Sequence, residues 1–300
     1  MTDPALPAGT GTQRSALHVG APMWTLPGWR GQITPARSPR NQDLHWYASW
    51  CNAVEGNTTF YATPSSATVQ LWAEATPPTF KFCFKLPREM THHQRLSVNA
   101  QQVREFLTRL EPLHDRLGPL WVQLPPSFGP ENIGNLRRFL SALPREFRWA
   151  VELRHPNFEA NGSAERQAND LLFEADVDRT LFDSRALFAG PCTTDDEQDA
   201  WQKKPRLRVR PLALGRHPTI RFVGQNGREA NRSFWLPWVS KVAGWIADGR
   251  EPFVFFHTPD NNESPTMARE FHRAVANDVA TLDDLPPPKP HPGQKTIFDR

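Results

Sequence analysis

Cysteine is scarce in this sequence, and long apolar segments are missing. The chain has 300 residues and 3 cysteines, which are Cys51, Cys83 and Cys192. Their odd number and wide spacing exclude a disulfide framework and a CxxC zinc site, so a reducing cytoplasm is the expected compartment. No run approaches the roughly 18 apolar residues of a membrane span, and residues 1–16 lack the apolar stretch of a secretory signal. We therefore expect no membrane partner.

A strong charge of either sign is also absent. The sequence has 35 Lys and Arg against 32 Asp and Glu, and the formal net charge of +3 is too small to indicate an acidic partner. Hydrophobic residues make up 38% and aromatic residues 11% of the chain, which excludes a wholly disordered or fibrous protein. A chain of 300 residues suits either two domains or one large barrel.

Short apolar runs alternate with longer amphipathic segments along the chain. The runs predict strands at residues 17–24, 52–61, 80–87, 119–126, 148–156, 178–185, 219–225 and 252–260. Helices are predicted between them, at residues 42–51, 65–75, 98–117, 130–142, 163–175, 231–247 and 264–277. Strands alternating with helices are typical of a parallel sheet, and eight such units suit a (β/α)8 TIM barrel. A doubly wound open sheet is the alternative, but no GxGxxG follows the first strand.

We expect a single α/β domain at residues 17–280, flanked by two flexible tails. Residues 1–16 are small and polar, which predicts a disordered N-terminal tail. Residues 281–300 are rich in proline, which predicts a semi-extended C-terminal tail rather than core. A compact site should therefore draw its residues from the domain between the tails.

Charged and polar residues stand near the ends of the predicted strands, where TIM barrels carry their chemistry. Because side chains alternate along a strand, one inward-facing set is expected to include Glu55, Asn57, Thr59, Lys85, Gln123, Glu152, Arg154, Asp183, Arg221 and His257. Buried charges must pair with one another or with a ligand, because an unpaired buried ion costs several kcal/mol. A self-satisfied lattice of ion pairs is the alternative, but convergence from several strands favours a ligand site.

The charges of this set indicate an anionic ligand. Three acids against three permanent cations nearly cancel, which argues against a dedicated metal cage, so no cofactor is predicted. Binding of a divalent metal remains an alternative, with four candidate ligands: Glu152, His155, Asp183 and His257. Phosphate or carboxylate would be held by Arg154, Arg221 and Lys85. Proton transfer would fall to Glu55, Glu152 or Asp183, and a Schiff base on Lys85 is the alternative.

A resemblance to a known family is carried by segments at all eight predicted strands. They include VGAPMWTLPGWRG, CNAVEGNTTFYATPSS, FKFCFKLPREMTHHQRL, GPLWVQLPPSFGP, FRWAVELRHPNF, LFDSR, TIRFVG and FVFFHTPDNNESP. Together these segments resemble the YecE-like family, domain of unknown function 72, over residues 17–278. The resemblance implies a TIM-barrel fold, and it carries no established activity.

The residues that recur in that family extend the candidate site. They fall on Trp24, Glu55, Asn57, Thr59, Phe60, Tyr61, Lys85, His92, Gln123, Pro125, Glu152, Arg154, His155, Asp183, Arg221 and Gly224. Many members have His before the glycine of the seventh strand, where this chain has Val223, and paired Asn after the eighth, where it has His257 and Thr258. The roles of those family groups do not transfer to this chain.

Aromatic residues and a histidine pair follow the first three strands. Trp24, Trp29, Phe60 and Tyr61 would stack a base or a sugar at the barrel mouth, with core packing as the alternative. His92 is a candidate general acid or base, and a solvated loop histidine is the alternative.

Residues 201–217 form a basic segment without an acidic residue. It contains Lys203, Lys204, Arg206, Arg208, Arg210 and Arg216. Such a segment is typical of contacts with a nucleic-acid backbone, while a solvated loop neutralised by the preceding acidic residues is the alternative.

The C-terminal pentapeptide Gln294–Phe298 has a pattern of its own. Gln-x-x-Ile-Phe resembles the bacterial sliding-clamp-binding peptide, in which Gln294 lies on a polar rim and Ile297 and Phe298 fill an apolar pocket. Packing of Ile297 and Phe298 back on the barrel is the alternative.

Three functional hypotheses follow. The first is an enzyme, a hydrolase or isomerase, that acts on a phosphorylated or otherwise anionic ligand at the barrel mouth. The second is a nucleic-acid-associated binding module in DNA metabolism, using the basic segment and the clamp-like tail. The third is a metal-dependent hydrolase.

Overall fold

The computed structural model describes residues 3–4, 16–97 and 100–291. The strands are β1 (His18–Gly20), β2 (Ala53–Gly56), β3 (Lys81–Phe84), β4 (Leu120–Gln123), β5 (Trp149–Glu152), β6 (Asp178–Asp183), β7 (Thr219–Val223) and β8 (Phe253–His257). The helices are α1 (Asp43–Trp50), α2 (Thr58–Tyr61), α3 (Ser66–Ala75), α4 (Ala100–Arg109), α5 (Ile133–Ser141), α6 (Ser163–Glu174), α7 (Asp195–Lys203), α8 (Glu229–Ala247) and α9 (Ser264–Asp278).

Parallel strands form the centre of the fold. Six of them make one curled sheet in the order β1-β8-β7-β6-β5-β4, a half-barrel, while β2 and β3 pair separately. The predicted alternation of strands and helices and the parallel sheet are confirmed. The observed sheet is six-stranded, however, rather than a continuous sheet of eight.

The strands separate two apolar layers. Alternation turns Ala53, Cys83, Trp121, Ala150, Phe253 and Phe255 toward a small interior cluster. The intervening residues, such as Val54 and Phe82, belong to a larger core that also includes residues of the helices. Trp121 and Phe255 meet edge to face with ring centroids 5.5 Å apart, which fills the interior below the carboxyl ends of the strands.

The seven predicted helices are observed close to their predicted positions, with one exception. The predicted helix 98–117 is observed as α4 followed by a 3-10 turn at Glu111–Arg116, because Pro112 near the start of that turn cannot continue α4. Within the described residues, no helix is both long and apolar enough to cross a bilayer.

The second predicted strand is shorter than expected. β2 ends at Gly56, and Thr58–Tyr61 forms the short helix α2. The prediction that Thr59 shares a strand face with Glu55 is therefore wrong. The Thr59 hydroxyl instead donates to the Lys85 carbonyl oxygen at 2.7 Å, which ties α2 to the end of β3.

Residues of both predicted tails contact the domain in the parts that the structure describes. The Asp3 carboxylate accepts from the Ala213 N–H at 2.9 Å and from Trp245 Nε1 at 2.8 Å. In the Pro-rich segment, Arg269 donates to the Pro286 carbonyl oxygen at 2.8 Å, and the Lys289 N–H donates to Ser49 Oγ at 3.3 Å. Three residues of the clamp-like peptide lie outside the described residues: Gln294, Ile297 and Phe298.

Gly20 allows β1 to approach β2 closely, which gives a stability prediction. A Cβ at Gly20 would lie 2.0 Å from the Ala53 carbonyl oxygen and 2.8 Å from Tyr47 Oη. Gly20→Ala is therefore expected to lower the free energy of unfolding by about 1–3 kcal/mol or more in urea denaturation.

The matched control is Gly244→Ala in α8, where an added Cβ meets open space. This change is expected to raise the free energy of unfolding by about 0.5–1 kcal/mol, because alanine loses less conformational entropy in a helix. Wild-type stability for Gly20→Ala would contradict the observed approach of the two strands.

Candidate functional site

Glu55, at the end of β2, is the centre of a buried cluster of charges. Its Oε1 lies 2.9 Å from Lys85 Nζ and 2.9 Å from Arg221 Nη2. Its Oε2 lies 2.6 Å from His257 Nε2 and accepts from Arg221 Nε at 3.0 Å. Strands β2, β3, β7 and β8 therefore meet through one carboxylate.

A second carboxylate, Glu152 at the end of β5, extends the cluster. It accepts from Arg154 Nε at 2.5 Å and from Arg221 Nη1 at 3.4 Å. Arg154 Nη2 also donates to Gln123 Oε1 at 3.0 Å. Arg221 thus bridges Glu55 and Glu152 with all three of its guanidinium nitrogens, and its side chain is buried.

Both carboxylates stay ionised at neutral pH. Burial raises the pKa of Glu55, but the charges of Arg221 and Lys85 and the hydrogen bond with His257 outweigh it and hold that pKa well below its usual range. For Glu152, burial is likewise outweighed by the charges of Arg154 and Arg221, and its pKa falls to about 2. Groups with such low pKa values are weak proton acceptors, so these carboxylates chiefly hold the cations in place.

Burial acts in the opposite direction on the bases of the cluster. It lowers the pKa of Lys85 to about 8, with Arg221 adding to the effect and Glu55 opposing it. It lowers the pKa of His257 to about 3, so the imidazole is neutral, and its Nε2-protonated tautomer donates to Glu55. Lys85 is therefore the group of the cluster that changes charge near neutral pH.

Asp183 does not belong to this cluster, so the prediction that it faces inward is wrong. Its carboxylate accepts from Trp238 Nε1 of α8 at 2.8 Å and from Arg185 Nε at 3.0 Å. On β6 it is Phe182 that pairs in register with Arg221 and faces the interior, 5.7 Å from the Arg221 guanidinium. Alternation then turns its neighbour Asp183 outward.

A cavity of about 770 Å³ opens above the buried cluster. Its lining includes ten of the residues predicted for the site, namely Trp24, Asn57, Phe60, Tyr61, Lys85, His92, Gln123, Arg154, Arg221 and His257. Thr59 and His155 lie outside this lining. His155 accepts a hydrogen bond from the Asn157 N–H at 3.2 Å and packs its ring on Phe158.

His92 lies in a π-helical turn at Glu89–His93 after β3. Its Nδ1 is 2.9 Å from Thr91 Oγ1, and its ring meets that of Phe60 edge to face. Burial, followed by the charges of Arg154 and Arg88, lowers the pKa of His92 to about 4. The side chain is therefore neutral at the cavity wall rather than a solvated cation.

The site contains two groups that sequence reasoning did not assign to it, Arg88 and Lys204. Lys204 follows α7, and among the described residues its ammonium has no carboxylate partner. Burial, with the charges of Arg221 and Lys85, lowers the pKa of Lys204 to about 7. The sequence carries a signal for this difference between neighbouring lysines. Lys203 has an acidic residue, Asp199, four positions before it and pairs with it at 2.5 Å, whereas Lys204 has Ala200 four positions before it.

The rest of the basic segment is dispersed. Arg210 lies 3.4 Å from Glu165 of α6, and the Arg206 guanidinium lies over the ring of Phe188. Lys204 enters the cavity instead. These side chains have separate surroundings, and contact with nucleic acid stays a prediction.

Metal-ligating residues are not grouped. In the ranges that the structure describes, no set of three or more His, Cys, Asp and Glu side chains could hold a metal ion. The four residues considered from the sequence are separated, because Asp183 and His155 lie outside the cluster of Glu152 and His257.

The family model described as "Protein of unknown function DUF72" matches residues 18–293 of the chain. A curated relative, the UPF0759 protein YecE of Escherichia coli K12, is 36% identical over 283 residues, covering 94% of this chain and 100% of the relative. The same-named protein of Escherichia coli O157:H7 matches at 36% identity over 283 residues.

Among the solved structures that match this fold are two DUF72 family proteins. A DUF72 family protein from Thermotoga maritima superposes with a TM-score of 0.65 at 22% identity, covering 88% of this chain and 98% of its own. A DUF72 family protein from Enterococcus faecalis superposes with a TM-score of 0.63 at 20% identity, covering 91% of this chain and 99% of its own. At these identities the likeness concerns the fold.

Removal of the central charge tests the cluster. Glu55→Gln leaves Lys85 and Arg221 buried with less neutralisation, so we expect the free energy of unfolding in urea to fall by about 3 kcal/mol or more. Glu174→Gln is the control, since its pair with Arg137 is exposed and is worth less than about 1 kcal/mol. Equal losses in the two variants would contradict the buried network.

Proposed function

Because the chain belongs to the DUF72 family of proteins of unknown function, we propose a function from its own site. The protein binds an organic anion, phosphorylated or carboxylated, in the cavity at the carboxyl ends of its strands. Its cavity of about 770 Å³ is large enough for a small metabolite.

An imbalance of charge is the observation that carries this proposal. With Asp183 turned outward, the buried carboxylates are Glu55 and Glu152, and they face three cations, Lys85, Arg154 and Arg221. Lys204 and Arg88 add positive charge at the same cavity. A cavity with excess positive charge and low-dielectric walls concentrates anions.

The cations have different tasks in the proposal. Arg221 is fully engaged with the two carboxylates and keeps the framework in place. Arg154 donates hydrogen bonds from Nε to Glu152 and from Nη2 to Gln123, while its Nη1 has no hydrogen-bond partner within the described residues. Arg154 is therefore the first anchor for the anion, with Lys204 and Arg88 beside it.

Aromatic side chains at the same cavity favour a ligand with an apolar part over a bare inorganic anion. Trp24 packs edge to face on Trp72, and Phe60 does the same with Tyr61. Tyr61 is 74% exposed at the rim, so its ring is free to cover a bound molecule.

The finer architecture, eight strands closed into one barrel, is part of the proposal. Main-chain hydrogen bonds support this closure on both sides of the two-stranded pair. Between β1 and β2, the Glu55 N–H donates to the Ala21 oxygen at 3.1 Å, and between β3 and β4, the Leu86 N–H donates to the Trp121 oxygen at 2.9 Å. Closure would explain how Glu55 of the two-stranded pair reaches Arg221 of the large sheet.

Catalysis by such a site, as a hydrolase or an isomerase, would use the lysines rather than the carboxylates. Glu55 and Glu152 remain ionised and paired at neutral pH, as their lowered pKa values require. Lys85 and Lys204 have pKa values of about 8 and about 7 and are poised to exchange protons there.

The direct test is isothermal titration calorimetry with inorganic phosphate and glycerol 3-phosphate. Arg154→Met is expected to weaken binding of both by about tenfold or more, because a charge-assisted contact is lost. Arg137→Met is the control, since that residue lies in an exposed pair with Glu174. Absence of binding by the wild-type protein, or unchanged affinity in Arg154→Met, would reject the proposal.

The affinity should depend on pH in a defined direction. A lysine with a lowered pKa is charged below that pKa and neutral above it, so anion binding should weaken as the pH rises through about 7 and about 8. Sulfate is the suitable probe because its own charge is constant there. Lys204→Met should remove the step near pH 7, and a pH-independent affinity would contradict these assignments.

The nucleic-acid module is the second proposal, and exposed Tyr61 beside the cations of the rim favours it. Titration with a single-stranded oligonucleotide distinguishes the two. Binding that falls steeply with salt and is lost in Arg154→Met would support the module, while phosphate binding without oligonucleotide binding would support the small-anion site alone.

A further inference from the structure

We propose that Lys204 is a nucleophilic amine that forms an imine with a carbonyl-bearing anion bound in the cavity. This inference rests on the proposed function, because the anion site must first hold the ligand. It narrows the ligand class to phosphorylated or carboxylated aldehydes and ketones.

The placement of Lys204 differs from that of its neighbours. Lys203, one residue earlier, also borders the cavity, but its side chain is exposed and held by Asp199 at 2.5 Å. Lys85 lies 2.9 Å from Glu55. Lys204 lines the cavity with Arg154 and, within the described part of the chain, has no carboxylate to fix its ammonium. Of the three lysines that line the described cavity, Lys204 is therefore the one whose nitrogen is most available to a ligand.

The surroundings of Lys204 favour the neutral amine. Burial acts first, and the charges of Arg221 and Lys85 act in the same direction, so its pKa is about 7. An ordinary lysine has a pKa of about 10.4, and its neutral fraction at pH 7 is smaller by a factor on the order of a thousand. Desolvation and neighbouring cations are the means by which proteins activate a lysine for imine chemistry.

Lys85 is a weaker candidate for the same role. Lys85 is 3% exposed, and its ammonium pairs with Glu55 and lies 5.5 Å from the Trp121 ring centroid. Attack by Lys85 would require its pair with Glu55 to be broken, which leaves Glu55 less neutralised in the interior. Lys204 loses no such partner.

Apart from one proton from the solvent, the reaction needs no further reactant. The lone pair of neutral Lys204 Nζ forms a bond with the carbonyl carbon, and the π electrons move to the oxygen, which takes a proton released from nitrogen. The carbinolamine then loses its hydroxyl as water after protonation, and a protonated imine remains. Arg154 and Arg88 stay charged throughout and hold the anionic group of the ligand.

Pyridoxal 5′-phosphate is a suitable probe, because it carries an aldehyde and a phosphate. The protein is incubated with it at pH 7 and reduced with borohydride, and the adduct is located by mass spectrometry of peptides. The chain has seven lysines, so the assignment is simple. Pyridoxal, which has the same aldehyde but no phosphate, is the control for the contribution of the anionic group.

Two variants separate the roles. Lys204→Arg keeps a positive charge at the cavity and removes the nucleophile, so it should still bind inorganic phosphate measurably while the adduct falls by about tenfold or more. Lys203→Arg, at the neighbouring position, should keep the adduct. Pyridoxal should label Lys204 more slowly than its phosphate ester does.

The outcomes are distinct. Reduced adduct on Lys204, lost in Lys204→Arg and retained in Lys203→Arg, supports the inference. Phosphate binding without an adduct, or an adduct on Lys85 or spread over the exposed lysines, overturns it and leaves the anion site standing. Failure of both phosphate binding and imine formation removes the proposed function together with the inference.

Discussion

The Arg221 guanidinium lies between two buried carboxylates, and the rest of the site depends on this bridge. Its Nε and Nη2 meet Glu55, while its Nη1 meets Glu152 at 3.4 Å. One side chain on β7 thereby joins β2 of the two-stranded pair to β5 of the large sheet. Burying these charges is costly, and the pairing of Arg221 with the two carboxylates offsets that cost. Because the pairing requires short distances, it holds the strand ends together, and these side chains form the floor of the cavity.

In the proposed function, the two interpretations considered from the sequence, an ion-pair lattice and a ligand site, are different layers of one structure. Glu55, Glu152 and Arg221 satisfy one another and form the lattice. Arg154 and Lys204 stand above them with capacity left for a ligand. In this proposal the carboxylates of the lattice offset the repulsion between the cations but leave an excess of positive charge for the ligand.

The extent to which sequence predicts this site follows from simple geometry. Period-two alternation correctly places Glu55, Lys85, Glu152 and Arg221 together, because each lies within a regular strand or directly after one. It fails at Thr59, where the chain has already turned into α2, and at Asp183, where the inward residue of β6 is one position earlier. Lys204 was not assigned to the site because it follows a helix, and only tertiary packing brings that connection over the strand ends.

The central claim is that the cavity carries excess positive charge and retains an anion. Anomalous diffraction from a crystal soaked in selenate tests it most directly, because the anion is identified without reference to any assumed ligand. The account predicts a selenium peak in the cavity, within hydrogen-bonding distance of the Arg154 guanidinium and the Lys204 ammonium. Selenate found only on the outer surface, with no peak above the bridged carboxylates, would contradict it.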